Sequence, residues 1–262
     1  MTKIAAWNVN SIRSRIEHTI KWLKQFNPDI LLLQEIKCTD KDFPYEALED
    51  LGYNIAINGQ KSYSGVAILS KSPLEDIITK LPGDDGDEQA RYIEAVTGNI
   101  RIASIYVPNG TELGTDKFAY KLKFLDRLAN HAKTLLSYDE TFVLGGDYNI
   151  APTDNDVYDP IRWAGKLHCT DDERTHLRRI INLGLTDINR ALHPPNTVQG
   201  REMYSWWDYR SGAWPKNAGL RIDLLLGSPQ AMDRVVGAGI DTEPRGWDKP
   251  SDHTPVWCEL KN

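Results

Sequence analysis

Apolar residues in this chain cluster in short runs rather than long stripes. Runs rich in Ile, Val, Leu or an aromatic recur at residues 3–9, 29–34, 53–57, 65–70, 92–96, 101–107, 141–145, 220–226 and 254–260, most of them bounded by Gly, Pro, Asn or Asp. That length and punctuation predict β-strands. Helical spacing interrupts them in three places. Residues 11–26 put Ile12, Ile16, Ile20 and Leu23 on one face, with Ser11 as an N-cap. Residues 116–136 repeat Leu122, Leu125, Leu128, Ala129, Ala132 and Leu135, and residues 171–183 show a shorter pattern of the same kind. Many strands with few helices do not make a strict βαβ alternation. They predict an α/β sandwich: two mostly β sheets packed face to face with helices outside. No linker splits residues 1–262, so one domain is expected. A faint internal echo, Trp7-Asn-Val-Asn10 after the first strand and Gly146-Asp-Tyr-Asn149 after a strand near the midpoint, hints at two related halves.

Composition changes this picture little. A chain of 262 residues with 40% apolar and 26% charged residues can bury a large core without staples. Three scattered cysteines, Cys38, Cys169 and Cys258, suit a reducing compartment and lack zinc-ligand spacing. No apolar run approaches the roughly 18 residues that span a bilayer, and a cytoplasmic monomer that meets no membrane is expected. With 31 Lys+Arg against 37 Asp+Glu, the net charge of −6 argues against holding nucleic acid by bulk charge. Eight tryptophans, several in polar surroundings, sit oddly with that acidity.

The candidate chemistry lies at strand ends. Asn8/Asn10, Gln34-Glu35, Tyr106-Val-Pro-Asn109, Asp147-Tyr-Asn149 and Ser251-Asp252-His253 each adjoin an apolar run, and Asp223 sits inside one. Asp and Asn also serve there as turn residues. Asp223 is the exception, because a carboxylate between Ile222 and Leu224 costs several kcal/mol unless paired, and His253 is its candidate partner. Strand ends gathered at one edge of a sandwich form a cleft.

Together these stretches resemble the exonuclease III family of apurinic/apyrimidinic endonucleases, within the endonuclease/exonuclease/phosphatase superfamily. The resemblance runs from Lys3 to Leu260. It is carried by Trp7-Asn-Val-Asn-Ser-Ile-Arg13, Leu33-Gln-Glu-Ile-Lys37, Tyr63-Ser-Gly-Val-Ala67, Tyr106-Val-Pro-Asn-Gly110, Gly146-Asp-Tyr-Asn-Ile-Ala-Pro-Thr153, Ser205-Trp-Trp-Asp-Tyr-Arg210, Gly219-Leu-Arg-Ile-Asp-Leu-Leu225 and Lys249-Pro-Ser-Asp-His253, in the family's order. It implies a four-layered sandwich of two packed mixed β-sheets flanked by helices. It also implies a Mg²⁺-dependent DNA repair phosphodiesterase that cuts 5′ to abasic sites and removes nucleotides or blocking groups from 3′ ends of duplex DNA.

By the same resemblance Glu35 is the principal ligand of Mg²⁺, replaceable by Mn²⁺, with Asn8 and Asp252 completing or orienting the shell; one ion or two is left open. His253, held by Asp223, contacts the scissile phosphate; Asp147 orients or deprotonates the attacking water; Asn149 keeps Asp147 in register; Tyr106 donates to a phosphate oxygen. Asn10, Arg13, Lys37, Tyr63, Arg91, Asn109, Lys216, Asn217 and Arg221 fall in stretches like the family's DNA-facing loops. Trp206, Leu220 and Ile222 are expected to line an apolar pocket for a flipped abasic sugar, and Trp214 to wedge into the base stack, while Trp207 and Tyr209 face inward. Two stretches depart from the pattern: Glu112 stands where some eukaryotic relatives place an inserting basic residue, and the acidic run at residues 84–88 reads as a solvated turn. No extension precedes the first strand, so the N-terminal tails of some eukaryotic relatives have no expected counterpart. A phosphatase of small phosphoesters on the same fold, or a binder of damaged DNA that does not cut, are the alternatives.

Overall fold

The computed structural model describes residues 1–262. Twelve strands form two six-stranded mixed sheets. The first comprises β1 (Thr2–Asn8), β2 (Ile30–Gln34), β3 (Asn54–Asn58), β4 (Val66–Ser70), β11 (Val235–Ile240) and β12 (Val256–Leu260), in the order β11-β12-β1-β2-β4-β3. The second comprises β5 (Glu75–Ile78), β6 (Tyr92–Thr97), β7 (Ile100–Tyr106), β8 (Phe142–Asp147), β9 (Thr186–Asp187) and β10 (Asp223–Gly227), in the order β5-β6-β7-β8-β10-β9. Helices α1 (Ile16–Phe26), α3 (Asp116–Leu136) and α5 (Asp171–Ile181) are the long ones. Short helices α2 (Tyr45–Glu49), α4 (Pro160–Trp163), α6 (Ile188–Leu192) and α7 (Pro229–Met232) complete the set.

Continuous apolar runs become strands here because both faces of each sheet are covered. Along β2, Ile30 and Leu32 face the other sheet, beside Ile68, Ile102, Val143 and Leu225, whereas Leu31 and Leu33 face Trp22 and Leu23 of α1. On the far side, Phe142 and Leu144 of β8 pack against Phe124, Leu125, Leu128 and Ala132 of α3. Each such buried Leu or Ile contributes roughly 2 kcal/mol. The four layers are therefore helix, sheet, sheet, helix. At Gly145 a Cβ would lie 2.7 Å from both Leu32 and Leu225 side chains, so the sheets approach closely only because that position is bare.

The two sheets share one topology. Each has a single central parallel pair, β1/β2 and β7/β8, joined by a helical crossover (α1 and α3), and every other pairing is antiparallel. Strands β11-β12-β1-β2-β4-β3 correspond one to one with β5-β6-β7-β8-β10-β9. The two sheets are related, but the motifs that echo each other in the sequence are not counterparts: β1 matches β7 and β2 matches β8. Asn8 is therefore the counterpart of Tyr106, and the end of β2, where Glu35 follows, that of Asp147.

Several boundaries differ from expectation. Helix α1 begins at Ile16, not Ser11; Ser11 has φ 90° and its N–H donates to the Glu35 carbonyl at 2.7 Å, so residues 10–12 form a turn tied to the end of β2. Strand β10 begins at Asp223, and Leu220 instead makes isolated bridges to Val157 and Trp206. Three strands were not anticipated. β5 is exposed throughout, β9 is two residues long, and β11 reads Val-Val-Gly-Ala-Gly-Ile, with its Gly239 lying under the Trp257 ring.

Candidate active site

The parallel pairs end side by side, Asn8 opposite Gln34 and Tyr106 opposite Asp147, and Asp223 at the start of β10 faces Asp147 in register. These ends, with the segment before β12, converge on one buried cluster. Asp147 is its centre. Its Oδ1 accepts from the Asn149 N–H at 2.8 Å, and its Oδ2 accepts from the side-chain amides of Asn8 (3.0 Å) and Asn149 (3.2 Å). Gly146, at φ 145°, has no room for a Cβ, which would sit 2.0 Å from the Ile105 carbonyl oxygen. The bare residue lets β7 and β8 close up directly before the aspartate.

His253 stands between two aspartates. Its Nδ1 donates to Asp223 Oδ2 at 2.9 Å, and its Nε2 lies 3.7 Å from Asp147 Oδ2. Burial opposes charge on the imidazole, but Asp223 and then Asp147 outweigh it and raise its pKa to about 10. Burial pushes the Asp147 carboxyl the other way, up to about 7, reinforced by Asp223 and Glu35 and opposed by His253. Asp223 also accepts from the Ser205 hydroxyl at 2.6 Å, and that oxygen in turn receives the N–H groups of Ile222 and Asp223 at 3.1 Å each.

Glu35, at φ 50°, turns its carboxylate into the same cluster. Oε1 accepts from Asn8 at 2.9 Å and Oε2 pairs with the Lys37 ammonium at 2.8 Å. Burial would raise its pKa, but Lys37 and Asn8 hold it below the ordinary value. Burial, with Glu35 and Asp147 behind it, keeps the Tyr106 phenol protonated, and the Arg91 guanidinium lies 4.6 Å from its ring centroid.

Glu35, Asp147 and His253 bring potential ligand atoms within 4.8 Å of one another. Two carboxylates, one already paired with the ammonium of Lys37, suit a hard divalent cation. Asp252, expected in the same shell, stands to one side: its oxygens accept from Asn10 and from the Trp206 indole, each at 3.0 Å. Asn8 serves as the amide that ties Glu35 to Asp147.

The sequence profile of the Endonuclease/Exonuclease/phosphatase family matches residues 5–253. The chain belongs to that family. It is 35% identical to exodeoxyribonuclease III of Haemophilus influenzae over 99% of this chain and 100% of that protein. A 3′ phosphatase, NExo from Neisseria, solved with a product DNA hairpin, superposes with TM-score 0.96 at 38% identity, covering both chains in full. An AP endonuclease from Archaeoglobus fulgidus does so with TM-score 0.93 at 36% identity, again covering both in full.

Around this Endonuclease/Exonuclease/phosphatase centre the residues expected to face DNA divide in two. Arg13, Asn109 and Asn217 are exposed, as is Tyr63, and Lys37, Arg91, Trp206 and Trp214 are half-buried. Asn10 bridges Lys37 and Asp252. Asn109 donates to Asn149 Oδ1 at 3.2 Å, and Asn217 accepts from the Trp207 indole.

Arg221 is a correction. It is fully buried and pairs with Asp156 and Asp187, each at 2.8 Å, because in the extended segment 220–222 the middle side chain points opposite to its neighbours and into the protein. Leu220 and Ile222 are corrections too. Both are buried among Ala151, Val157 and Cys169, and neither borders the cavity beside Trp206. Of that trio only Trp206 borders the adjacent 380 Å³ cavity, with Tyr158, Arg162, Trp163, Lys166 and Lys216. His168 lies beside both Trp163 and Trp206, with ring centroids 6.3 and 6.2 Å away.

Trp207 is buried as expected, whereas Tyr209 is 50% exposed and accepts from Asn10. Trp214 packs edge-on against Trp207 at 4.8 Å. The acidic run is only partly a free turn, since Asp87 pairs with Arg127 and Asp84 with Lys123 on α3. Sequence reasoning gave no role to Ser205 or Ser251. The latter donates to the Asn8 carbonyl at 2.7 Å and receives the His253 N–H. Each precedes a residue that was singled out, and that adjacency was the only signal.

Proposed function

We propose that this chain is a divalent-metal-dependent DNA repair phosphoesterase, working as one catalytic domain and a cytoplasmic monomer on duplex DNA. It removes nucleotides and blocking groups from 3′ ends and incises 5′ to abasic sites. The observation that carries this reading is the buried meeting of Glu35, Asp147, Asn8 and His253, drawn from different strand ends, with Asp223 behind His253. The names of the similar proteins supply the substrate class.

Mg²⁺, or Mn²⁺ in its place, bound through Glu35 and its neighbours would neutralise charge on the phosphoryl oxygens and the departing oxygen. The side chains do the rest. Protonated His253 places positive charge and a donor against a phosphoryl oxygen, and Asp223 fixes its tautomer. Asp147, lifted toward neutral pH, is suited to accept the proton of the attacking water. Asn149 and Asn8 hold that carboxylate in one orientation, and Tyr106 keeps a phenolic donor near it. Arg13, Lys37, Tyr63, Arg91, Trp206 and Trp214 are assigned to the DNA backbone and its ends.

Three duplexes decide: one with a 3′ phosphate, one with a recessed 3′ hydroxyl end and one with a single abasic site, each with Mg²⁺ or with EDTA. Metal-dependent processing of all three is expected. Inactivity on all three, with turnover of a small phosphoester, would replace this reading by that of a small-molecule phosphatase.

A further inference from the structure

Behind the active site lies a buried ion pair that the chemistry above does not use. Lys121 of α3 and Glu173 of α5 have no exposed surface and pair with each other. The pair is anchored from the α5 side. Thr170 caps α5, and Glu173 accepts from the Thr170 N–H (3.1 Å) and hydroxyl (2.7 Å) and from the His168 N–H (3.0 Å). Glu173 is thereby the fixed end, and the ammonium of Lys121 is aimed by it.

That ammonium has two other partners, and both are active-site loops. It donates to the backbone carbonyls of Asn149 at 2.8 Å and Asn109 at 3.1 Å. These are the loops that follow β8 and β7. The Asn149 carbonyl is also met by His168 Nδ1 at 2.7 Å. Asn149 itself sits at φ 52°, a left-handed conformation that asparagine adopts more readily than other non-glycine residues. From that conformation its side chain reaches Asp147 Oδ2 and the Val107 carbonyl while accepting from Asn109. One ammonium thus joins the two loops from behind, and two side-chain hydrogen bonds, Asn149 to the Val107 carbonyl and Asn109 to Asn149, join them in front.

A pair kept only for stability would be replaceable by apolar packing, since burying two charges costs about what their attraction returns. Here the ammonium is the only group that touches both loop carbonyls. We propose that Lys121, steered by Glu173, is a positioning residue that sets the Asn109 and Asn149 loops in register and through Asn149 orients the Asp147 carboxylate. The inference rests on the phosphoesterase reading above for its kinetic consequence, but not for its structural one.

The test compares the wild-type chain with Lys121→Met, Asn149→Ala and the double variant on the 3′-phosphate duplex with Mg²⁺, with thermal melting as the check on folding. Lys121→Met is expected to lower kcat about 30-fold while leaving KM and duplex affinity within about threefold, the signature of a displaced catalytic group. The double variant should fall by less than the product of the two single losses, because both changes act on the loop that carries Asn149. Lys123→Met, at an exposed site on the same helix, is the control and should leave kcat unchanged. Losses that multiply in the double variant, or a loss confined to KM, would overturn the proposal.

A wild-type chain inactive on DNA rejects the functional reading alone. Positioning is then read from the side-chain amide resonances of Asn109 and Asn149, expected to move in Lys121→Met and not in Lys123→Met; unmoved resonances overturn it. Should Lys121→Met fail to fold, Glu173→Gln keeps the side-chain volume, removes the charge that steers the ammonium, and is expected to lose about tenfold in kcat by the same route.

Discussion

Asp223 and His253 are joined by a hydrogen bond of 2.9 Å at Nδ1, which leaves Nε2 as the edge turned toward Asp147 and the site. Asp223→Asn keeps the shape but presents an amide that can donate to Nδ1, and the imidazole then loses both its charge and its tautomer. Steady-state kinetics should show kcat lower by about 10³-fold with KM nearly unchanged. A variant retaining a tenth of wild-type turnover would show that the tautomer does not matter.

Glu35 and Asp147 share Asn8 but are assigned different work. For Glu35→Ala, activity and apparent Mg²⁺ affinity should fall together, the affinity by about 10- to 100-fold. For Asp147→Asn, turnover should fall by about 10³-fold while duplex affinity, read by fluorescence anisotropy, stays within about threefold. Equal loss of binding in both variants would contradict this division.

Two buried groups each lose a stabilising contribution in acid. Burial holds His168 down at about 4 against an ordinary 6.5, so its contribution is complete above pH 6.5 and is lost as pH falls toward 4, on the order of 3 kcal/mol. Burial would raise Asp156, but Arg221 and Arg190 bring it down to about 2 against an ordinary 3.8. Its contribution is present above 3.8 and is lost as pH falls through 2. Urea unfolding at a series of pH values should show His168→Asn losing less stability than the wild-type chain between pH 6.5 and 4.

Trp207 and Trp214 touch, yet different losses are expected. Trp207→Ala empties a buried site and should cost about 3–5 kcal/mol in unfolding free energy. Trp214→Ala should cost about 1 kcal/mol or less in stability and weaken binding to duplex DNA about tenfold, by roughly 1.4 kcal/mol. Duplex affinity untouched by the second change would remove Trp214 from the DNA surface.

What could be read from the sequence follows from where side chains spend their energy. Ile30–Leu33, Ile102–Tyr106 and Phe142–Leu144 are buried on both faces, and such runs announce themselves. The exposed β5, the two-residue β9 and the glycine-interrupted β11 carry no such run, because pairing with a neighbour, not burial, makes them strands. In the site, Asp223 pointed to its partner because its neighbours are apolar. Arg221 misled for the converse reason: its carboxylate partners, Asp156 and Asp187, are distant in sequence, and a charge looks solvent-bound until they are known. Leu220 and Ile222 were placed at a pocket by resemblance, but both lie in the core with Ala151, Val157 and Cys169.

The order of the first sheet has a consequence for how the enzyme comes into being. Strand β1 lies between β2, its early neighbour, and β12, which follows every strand of the second sheet. As the chain leaves the ribosome, β1 to β4 must wait with one hydrogen-bonding edge open while a complete six-stranded sheet is made, a long-range closure of the kind that slows folding. Asp252 and His253 arrive with that last pairing. A nascent chain that has not closed its first sheet therefore carries Glu35 and Asp147 without their histidine, and the capacity to cut DNA is the last property the chain acquires.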